Sequence, residues 1–502
     1  MKTLLRGFIC DENFSGISRG ALLFDNDNII AVEKEITGSA CADRIIEFKD
    51  EIIAPGFIDA HGHSDISALA APECFSKVSQ GITAEITGNC GLSPFPVTPE
   101  NQEHLNGLYA NYGIELSWQD YTSYCQESAK RAPALRLFPL CGHNTLRAAV
   151  AGYEQKELSA GELERMCTLL EQELRAGAPG LSTGLLYVPG CFSGEDELLA
   201  LMRTLAKQDK VFTTHLRSEG SLLLESLEEI LSLAEKAHLR KVEISHFKTA
   251  GKDNFHKLDA ALELMESYRQ RGIDVRFDRY PYIESQTMLS VALGDAYSAY
   301  GDRELTTLLQ DQQEYVRALT HLQQLRNDEY WQRIILAGTT HDRYRKYAGK
   351  KFCDIPGEPA ETVLEILRQS APDATLAAIS MSPENMLKIL LHPLCCFGSD
   401  GNALPPDLRF GRPHPRAFGG AAAMARILLE NNTPLPELCR KLSGAAAEFF
   451  ALDRCGALKV GNHADITVFS PEDIDSGASF KAPALPAKGI ALTVTGGNLH
   501  FM

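Results

Sequence analysis

The run Pro55-Gly56-Phe57-Ile58-Asp59-Ala60-His61-Gly62-His63 ends an apolar stretch in two histidines one residue apart. Residues i and i+2 of an extended chain share a face, so His61 and His63 can reach one metal ion. His215 closes Val211-Phe212-Thr213-Thr214-His215, and His246 closes Val242-Glu243-Ile244-Ser245-His246. Any one of them reads equally as a core histidine with a satisfied ring. Together, each closing an apolar or β-branched run, they point to a metal centre. Cys90 lies in Glu85-Ile86-Thr87-Gly88-Asn89-Cys90-Gly91, where the glycines leave the sulfur unshielded. It is either a small buried hydrophobe or a thiolate ligand, and a thiolate with two imidazoles suits Zn²⁺. Asp400, in Cys396-Phe397-Gly398-Ser399-Asp400-Gly401, is either a turn aspartate or a general base facing the histidines.

Such residues need elements that bring several strand ends to one place. From about residue 55, short β-branched runs alternate with helical patterns, which predicts βα units and a parallel sheet. The helical spacing is clearest over 160–176, where Leu163, Met166, Cys167, Leu170 and Leu174 recur every three or four residues. Strands are predicted at 54–60, 83–87, 135–140, 180–184, 211–215, 242–246, 275–280 and 394–399. Eight βα units close into a barrel, and its C-terminal rim is where strand ends converge. The interval of about 285–393 is too long for a plain loop and reads as a helical insertion over the barrel mouth. Residues 1–54 and 451–502 read as strands and turns that pair into one small β domain. The segments 21–24 and 29–32, flanking Asp25-Asn26-Asp27-Asn28, predict a hairpin.

The 502 residues carry 49 Lys+Arg against 66 Asp+Glu, a formal net charge of −17. That sign repels phosphate backbones and anionic lipid, so neither nucleic acid nor a membrane surface is an expected partner. No apolar stretch reaches the ~18 residues of a membrane span. Arg6 falls where a signal peptide needs an apolar run, so the N-terminus reads as the start of the fold. The 13 scattered cysteines include no CxxC pair, which predicts reduced thiols and a cytoplasmic location. The oligomeric state stays open.

The segments PGFIDAHGHSD (55–65), TGNCGLSPFPV (87–97), CGHNTLR (141–147), GLSTGLLYVPG (180–190), THLRSEG (214–220), ISHFK (244–248), DRYPY (278–282), GSDG (398–401) and HPRAFGG (414–420) follow one another along the chain. In that order they resemble the amidohydrolase superfamily, and within it the N-acyl-D-amino-acid deacylases, or D-aminoacylases. The resemblance implies a distorted (β/α)₈ TIM-type barrel with a small β-sandwich made from both chain ends. It implies one tight zinc site on Cys90, His215 and His246, with His61 and His63 forming a second site that is weak or partly filled. Many relatives bridge two metals with a carbamylated lysine at the end of the fourth strand, but Gly180-Leu181-Ser182-Thr183-Gly184 has none.

By the same resemblance, Asp400 is the general base and Tyr187 polarises the scissile carbonyl. Lys248, Tyr280 or Tyr282, and Arg416 hold the substrate carboxylate, while Arg217 and Glu219 orient ligands. The implied substrate is a small N-acyl amino acid, cleaved to a carboxylate and a free D-amino acid. Members specialised for acidic side chains place an arginine after DRYPY. The stretch 284–293 has none, which favours neutral or hydrophobic side chains. A cyclic amidase of the dihydropyrimidinase or hydantoinase type is the alternative chemistry, and a non-catalytic binding protein the alternative class.

Overall fold

The computed structural model describes residues 1–34, 42–297, 300–371 and 374–502; Cys41 lies outside them. The chain opens with β1 (Lys2–Cys10), β2 (Ile17–Asp25), β3 (Asn28–Glu33) and β4 (Arg44–Pro55). β2 and β3 form the expected hairpin, pairing Asp25 with Asn28 across a turn in which Asn26 takes a left-handed φ of 49°. Asparagine tolerates that conformation better than most residues do.

Next come β5 (Phe57–Asp59), β6 (Ile82–Thr87), β7 (Arg136–Pro139), β8 (Cys141–Gly142), β9 (Gly180–Gly184), β10 (Val211–His215), β11 (Lys241–Ile244) and β12 (Asp274–Arg279). Then follow β13 (Glu284–Met288), β14 (Ile334–Gly338), β15 (Thr375–Ile379) and β16 (Cys395–Phe397). The chain finishes with β17 (Ile466–Phe469), β18 (Ile490–Thr495) and β19 (Asn498–Phe501).

Two parallel arrays carry the predicted βα series, in the orders β5-β6-β7 and β8-β9-β10-β11-β12-β16. Only Leu140 separates β7 from β8, and its N–H donates to Thr87 O at 2.9 Å. At the other seam Ala60 N–H donates to Phe397 O at 2.9 Å, and Gly62 bridges Gly401 in parallel. Strands covered on both faces read as continuous apolar or small-residue runs, and every residue of β6 and β10 is buried. Phe449 and Phe450 pack against Ile58, Ile86 and Leu140 from the helix Ala445–Phe450.

The helix Ala160–Ala176 shows how the outer layer forms. Ser159 and Glu162 make a reciprocal capping box at its start, and Gly177, at φ 129°, ends it. Met166, Leu170 and Leu174 are buried on its inner face, each contributing roughly 1.5–3 kcal/mol of apolar burial. Leu163 and Cys167 flank that stripe half-buried.

The two chain ends meet in one seven-stranded sheet of order β19-β18-β17-β4-β1-β2-β3. β17 lies antiparallel to β4, pairing Ile466 with Pro55, and so delivers the C-terminal segment beside the start of β5.

The segment between β12 and β16 corrects the expectation of a purely helical insertion. It holds helices, including Gln312–Leu325 and Pro359–Ser370, but also the antiparallel sheet β13-β15-β14. It has its own core, with Leu322, Trp331, Leu336, Phe352, Leu364 and Leu376. Five-residue apolar runs such as Ile334–Gly338 have no periodicity that separates strand from buried helix, which is why the sheet was not legible. Among the described residues no helix is long and apolar enough to cross a membrane, and the twelve described cysteines form no disulfide.

Candidate metal centre and active site

His61, Cys90, Tyr187, His215, His246, Tyr280 and Asp400 all lie at, or a few residues beyond, the C-terminal ends of parallel strands. The shared strand direction brings them to one face. Three of them bend the backbone to do so: Cys90, His246 and Asp400 have φ of 52°, 38° and 51°. A side-chain-bearing residue in that region costs about 1–3 kcal/mol and persists only where its surroundings impose it. Gly91 shows the crowding, because a Cβ there would stand 2.0 Å from Asn144 Oδ1 and 2.7 Å from Gly184 N.

Cys90 Sγ is the hub. It lies 3.4 Å from His61 Nε2, 3.4 Å from His246 Nε2 and 3.8 Å from His215 Nδ1. A tetrahedral ion with bonds of ~2.3 Å to sulfur and ~2.0–2.1 Å to nitrogen separates its ligand atoms by about 3.5 Å. The donor set therefore fits a divalent cation. The opposite ring nitrogens of His61 and His246 are held by carboxylates, as metal-binding imidazoles usually are, while that of His215 has no hydrogen-bond partner among the described residues. Asp278 Oδ2 is 3.1 Å from His61 Nδ1 and accepts the backbone N–H of His246 at 3.0 Å. Glu219 Oε1 is 2.8 Å from His246 Nδ1, and its Oε2 is 3.8 Å from His215 Nε2. His63 Nε2 lies 3.2 Å from Asp400 Oδ1, which is 3.9 Å from His61 Nε2.

The charges agree with that geometry. Burial alone would push the Cys90 thiol up, but His61 and His246 outweigh it and hold the group well below the usual thiol range. Burial also opposes ionisation of Asp400, yet the Arg416 guanidinium, the His63 hydrogen bond and the nearby imidazoles keep it well below a normal carboxylate. Glu219 behaves likewise through Lys248, His215 and His246. Burial, reinforced by the charges of Cys90, Glu219 and Asp400, pushes the Tyr187 phenol well up, so it stays a proton donor. Its ring packs 4.9 Å from that of His215.

The remaining expected residues separate. Lys248 is buried with its ammonium on Glu219 Oε1 and 2.9 Å from His246 Nδ1. Arg416 Nη1 stands 2.8 Å from Asp400 Oδ2, and its guanidinium lies 4.5 Å from the Tyr280 ring centroid. Tyr280 is buried; burial pushes its phenol up, and Arg279, Lys248 and Arg416 outweigh that and hold it below its usual value. Tyr282 is not brought to the cluster: its hydroxyl reaches Ser476 Oγ at 3.2 Å. The strand ends at Arg279 and the chain folds back, Tyr282 N–H donating to Tyr280 O at 3.0 Å, so the i, i+2 alternation no longer applies. Arg217 does not touch the ligands either. It pairs with Glu229 at 2.9 Å and donates to the carbonyls of Cys191 and Ser193.

Sequence reasoning missed Asp278, although it heads DRYPY, and it missed Glu243. The Glu243 carboxyl is buried against Asp278, and burial, with the charge and hydrogen bond of Asp278, pushes it well up. It also missed Lys77. This fully buried ammonium sits 2.6 Å from Asp59 and 2.9 Å from Glu85, and donates to Ser399 Oγ and Gly401 O. Asp59 in turn accepts the backbone N–H groups of His61 and Ser399. One cation thus ties the histidine-bearing loop to the Asp400 loop. Lys77→Met should cost roughly 3–5 kcal/mol of stability, because two buried carboxylates lose their counter-charge. Denaturant unfolding checks this, and an unchanged midpoint would mean the triad carries no net stability.

A cavity of about 780 Å³ opens on Asp400 and Arg416. Gln286, Thr287 and Met288 of β13 and Thr339 beyond β14 form its insertion-side wall.

The model of the amidohydrolase family matches residues 44–501. A D-aminoacylase of Alcaligenes xylosoxydans xylosoxydans is 28% identical over 496 residues, covering 97% of this chain and 91% of the relative. An N-acyl-D-glutamate deacylase of the same organism is 29% identical over 466 residues, covering 92% and 86%. The crystal structure of an N-acyl-D-glutamate deacylase from Bordetella bronchiseptica, complexed with zinc and a phosphonate mimic of the tetrahedral intermediate, superposes with a TM-score of 0.81. It is 27% identical and covers 99% of this chain and 96% of its own. The chain belongs to the amidohydrolase family, is similar over nearly its whole length to D-aminoacylases, and is a metal-dependent hydrolase of linear amides.

Proposed function

We propose that this chain is a zinc enzyme that hydrolyses N-acyl-D-amino acids to a carboxylate and a free D-amino acid. The observation that carries the reading is the Cys90 sulfur set among the ring nitrogens of His61, His215 and His246, with the Asp400 carboxylate beside His61 and His63. In this reading β5–β12 and β16, with β7 and β8 as one interrupted strand, close a distorted (β/α)₈ barrel over about 55–450. Residues 1–54 and 451–502 form a small β domain around the one seven-stranded sheet. Cys90, His215 and His246 hold the tight zinc, and His61 and His63 a weaker second site. When bound, zinc supplies a Lewis acid that polarises the amide carbonyl and acidifies a water.

Asp400, ionised at neutral pH, takes the proton of the attacking water and passes it to the leaving nitrogen. The Tyr187 phenol donates to the carbonyl oxygen as negative charge grows there. Lys248, Tyr280 and Arg416 converge from two sides and hold the α-carboxylate, so the hand of the substrate decides whether the amide meets Asp400. The free cysteines favour a cytoplasmic location. A panel of N-acetyl- and N-formyl-D- and L-amino acids, read by release of free amine, tests the reading. Activity confined to L-substrates would overturn it while leaving the metal site intact.

Lys248→Met should raise KM for N-acetyl-D-amino acids far more than it disturbs the fold. A desolvated charge pair broken on one side is worth roughly 2–5 kcal/mol in kcat/KM. Glu219 keeps His246 and His215 as partners, so zinc content should hold. A KM equal to that of the unaltered enzyme would leave the carboxylate to Arg416 and Tyr280.

A further inference from the structure

We propose that Asn144 is a positioning residue for the reaction, its carboxamide clamping the loop that carries the Tyr187 phenol. The inference rests on the reading of Tyr187 as the donor to the scissile carbonyl. Asn144 lies in CGHNTLR (141–147), a segment to which the metal, the base and the carboxylate contacts assign nothing.

β8 is only Cys141–Gly142, and the helix His143–Ala151 begins directly after it. Thr145 N–H donates to Gly91 O at 3.1 Å, which ties the first turn of that helix to the Cys90 loop. His143 and Arg147, four positions apart, share a helix face. Both meet Glu197 Oε1, His143 Nε2 at 2.7 Å and Arg147 Nε at 3.2 Å. That pair pins the helix from one side. Asn144 stands about 100° round the helix from His143 and meets the strand ends instead.

Asn144 is buried, and among the described residues its side-chain bonds are all to backbone. Nδ2 donates to Gly184 O at 3.2 Å and to Tyr187 O at 3.1 Å, and Oδ1 accepts the Gly184 N–H at 3.3 Å. Tyr187 N–H in turn donates to Gly184 O at 3.1 Å, so one carboxamide holds both ends of the turn that follows β9. The fit leaves no slack. A Cβ on Gly91 would stand 2.0 Å from Asn144 Oδ1, and one on Gly190 would stand 2.5 Å from it. The side chain is walled by the Cys90 loop on one side and by the Tyr187 loop on the other.

Leu186 and Val188, on either side of Tyr187, are exposed, so apolar packing does little to fix the tip of this loop. The bonds to Asn144 fix its base. A donor to a growing oxyanion acts only if it already stands at hydrogen-bond distance. A misplacement of ~1 Å can cost on the order of a hundredfold in rate. Asn144 has no proton to exchange at neutral pH, and it acts through Tyr187.

The zinc-loaded enzyme is tested by a double-mutant cycle on the N-acyl-D-amino acid it turns over best. Asn144→Ala should lower kcat by roughly tenfold to a hundredfold, with KM and zinc content nearly unchanged. In the Tyr187→Phe background the same change should cost less than about twofold, because the clamp has no phenol left to place. Asn144→Asp keeps the size and Oδ1 but loses both donors and sets a charge against two carbonyls. It should repeat the pattern, and it completes the cycle if Asn144→Ala does not fold. The same fold-loss in both backgrounds, an unchanged kcat, or a loss that follows zinc content or KM overturns the proposal alone. A Tyr187→Phe variant with full kcat removes Tyr187 from its role and this inference with it.

Discussion

Asp400→Asn should leave the fold and the zinc in place while lowering kcat by roughly 10²–10⁴, the usual worth of a general base. The amide matches the carboxylate in size and can still meet His63 and Arg416, both now within 3.2 Å of Asp400 oxygens. What it cannot do is accept a proton. The environment makes this a clean test. Burial disfavours the ionised carboxylate, and Arg416, His63, His246 and His61 outweigh it, so Asp400 is ionised across the neutral range. The left-handed backbone at Asp400 is tolerated by asparagine as well as by aspartate, so the substitution adds little strain. Turnover is read on the best N-acyl-D-amino acid, with metal content measured on the same sample. A variant that keeps more than roughly a tenth of the unaltered kcat would remove Asp400 from the role of base.

Cys90→Ala should remove the tight zinc and, with it, essentially all activity, because the soft ligand is lost from a set of three. The geometry sharpens the expectation. Sγ stands 3.4 Å from His61 Nε2 and 3.4 Å from His246 Nε2, so it serves both halves of the cluster. His61→Ala removes a ligand from one half only and should leave about one zinc per chain. Elemental analysis after dialysis against a weak chelator separates the two results. Equal loss of metal from both variants would show that one strong and one weak site is the wrong division. Added zinc should restore His61→Ala at lower concentration than Cys90→Ala, which provides a second reading on the same proteins.

The parts of this molecule that depend on neighbours along the chain were legible from the residues alone. The pair His61 and His63, His215, His246 and Cys90 between glycines were recognisable because each stands at or just after an apolar or β-branched run, which is a local property, although only His215 lies inside its strand. The helix 160–176 was legible for the same reason, its buried face repeating every three to four residues. Tertiary structure alone decided the rest. Lys77 reaches Ser399 across 322 positions of sequence, and Glu219 reaches Lys248 across 29; no pattern in a short window records either pairing. The β13-β15-β14 sheet escaped because its runs carry no periodicity that separates strand from buried helix, and a turn after Arg279 takes the Tyr282 hydroxyl to Ser476. The cavity beside Asp400 is enclosed only because the end of β14 and the 398–416 segment pack together in space. A ligand set can be written in local periodicity, but which charge compensates which depends on desolvation and distance in the folded chain.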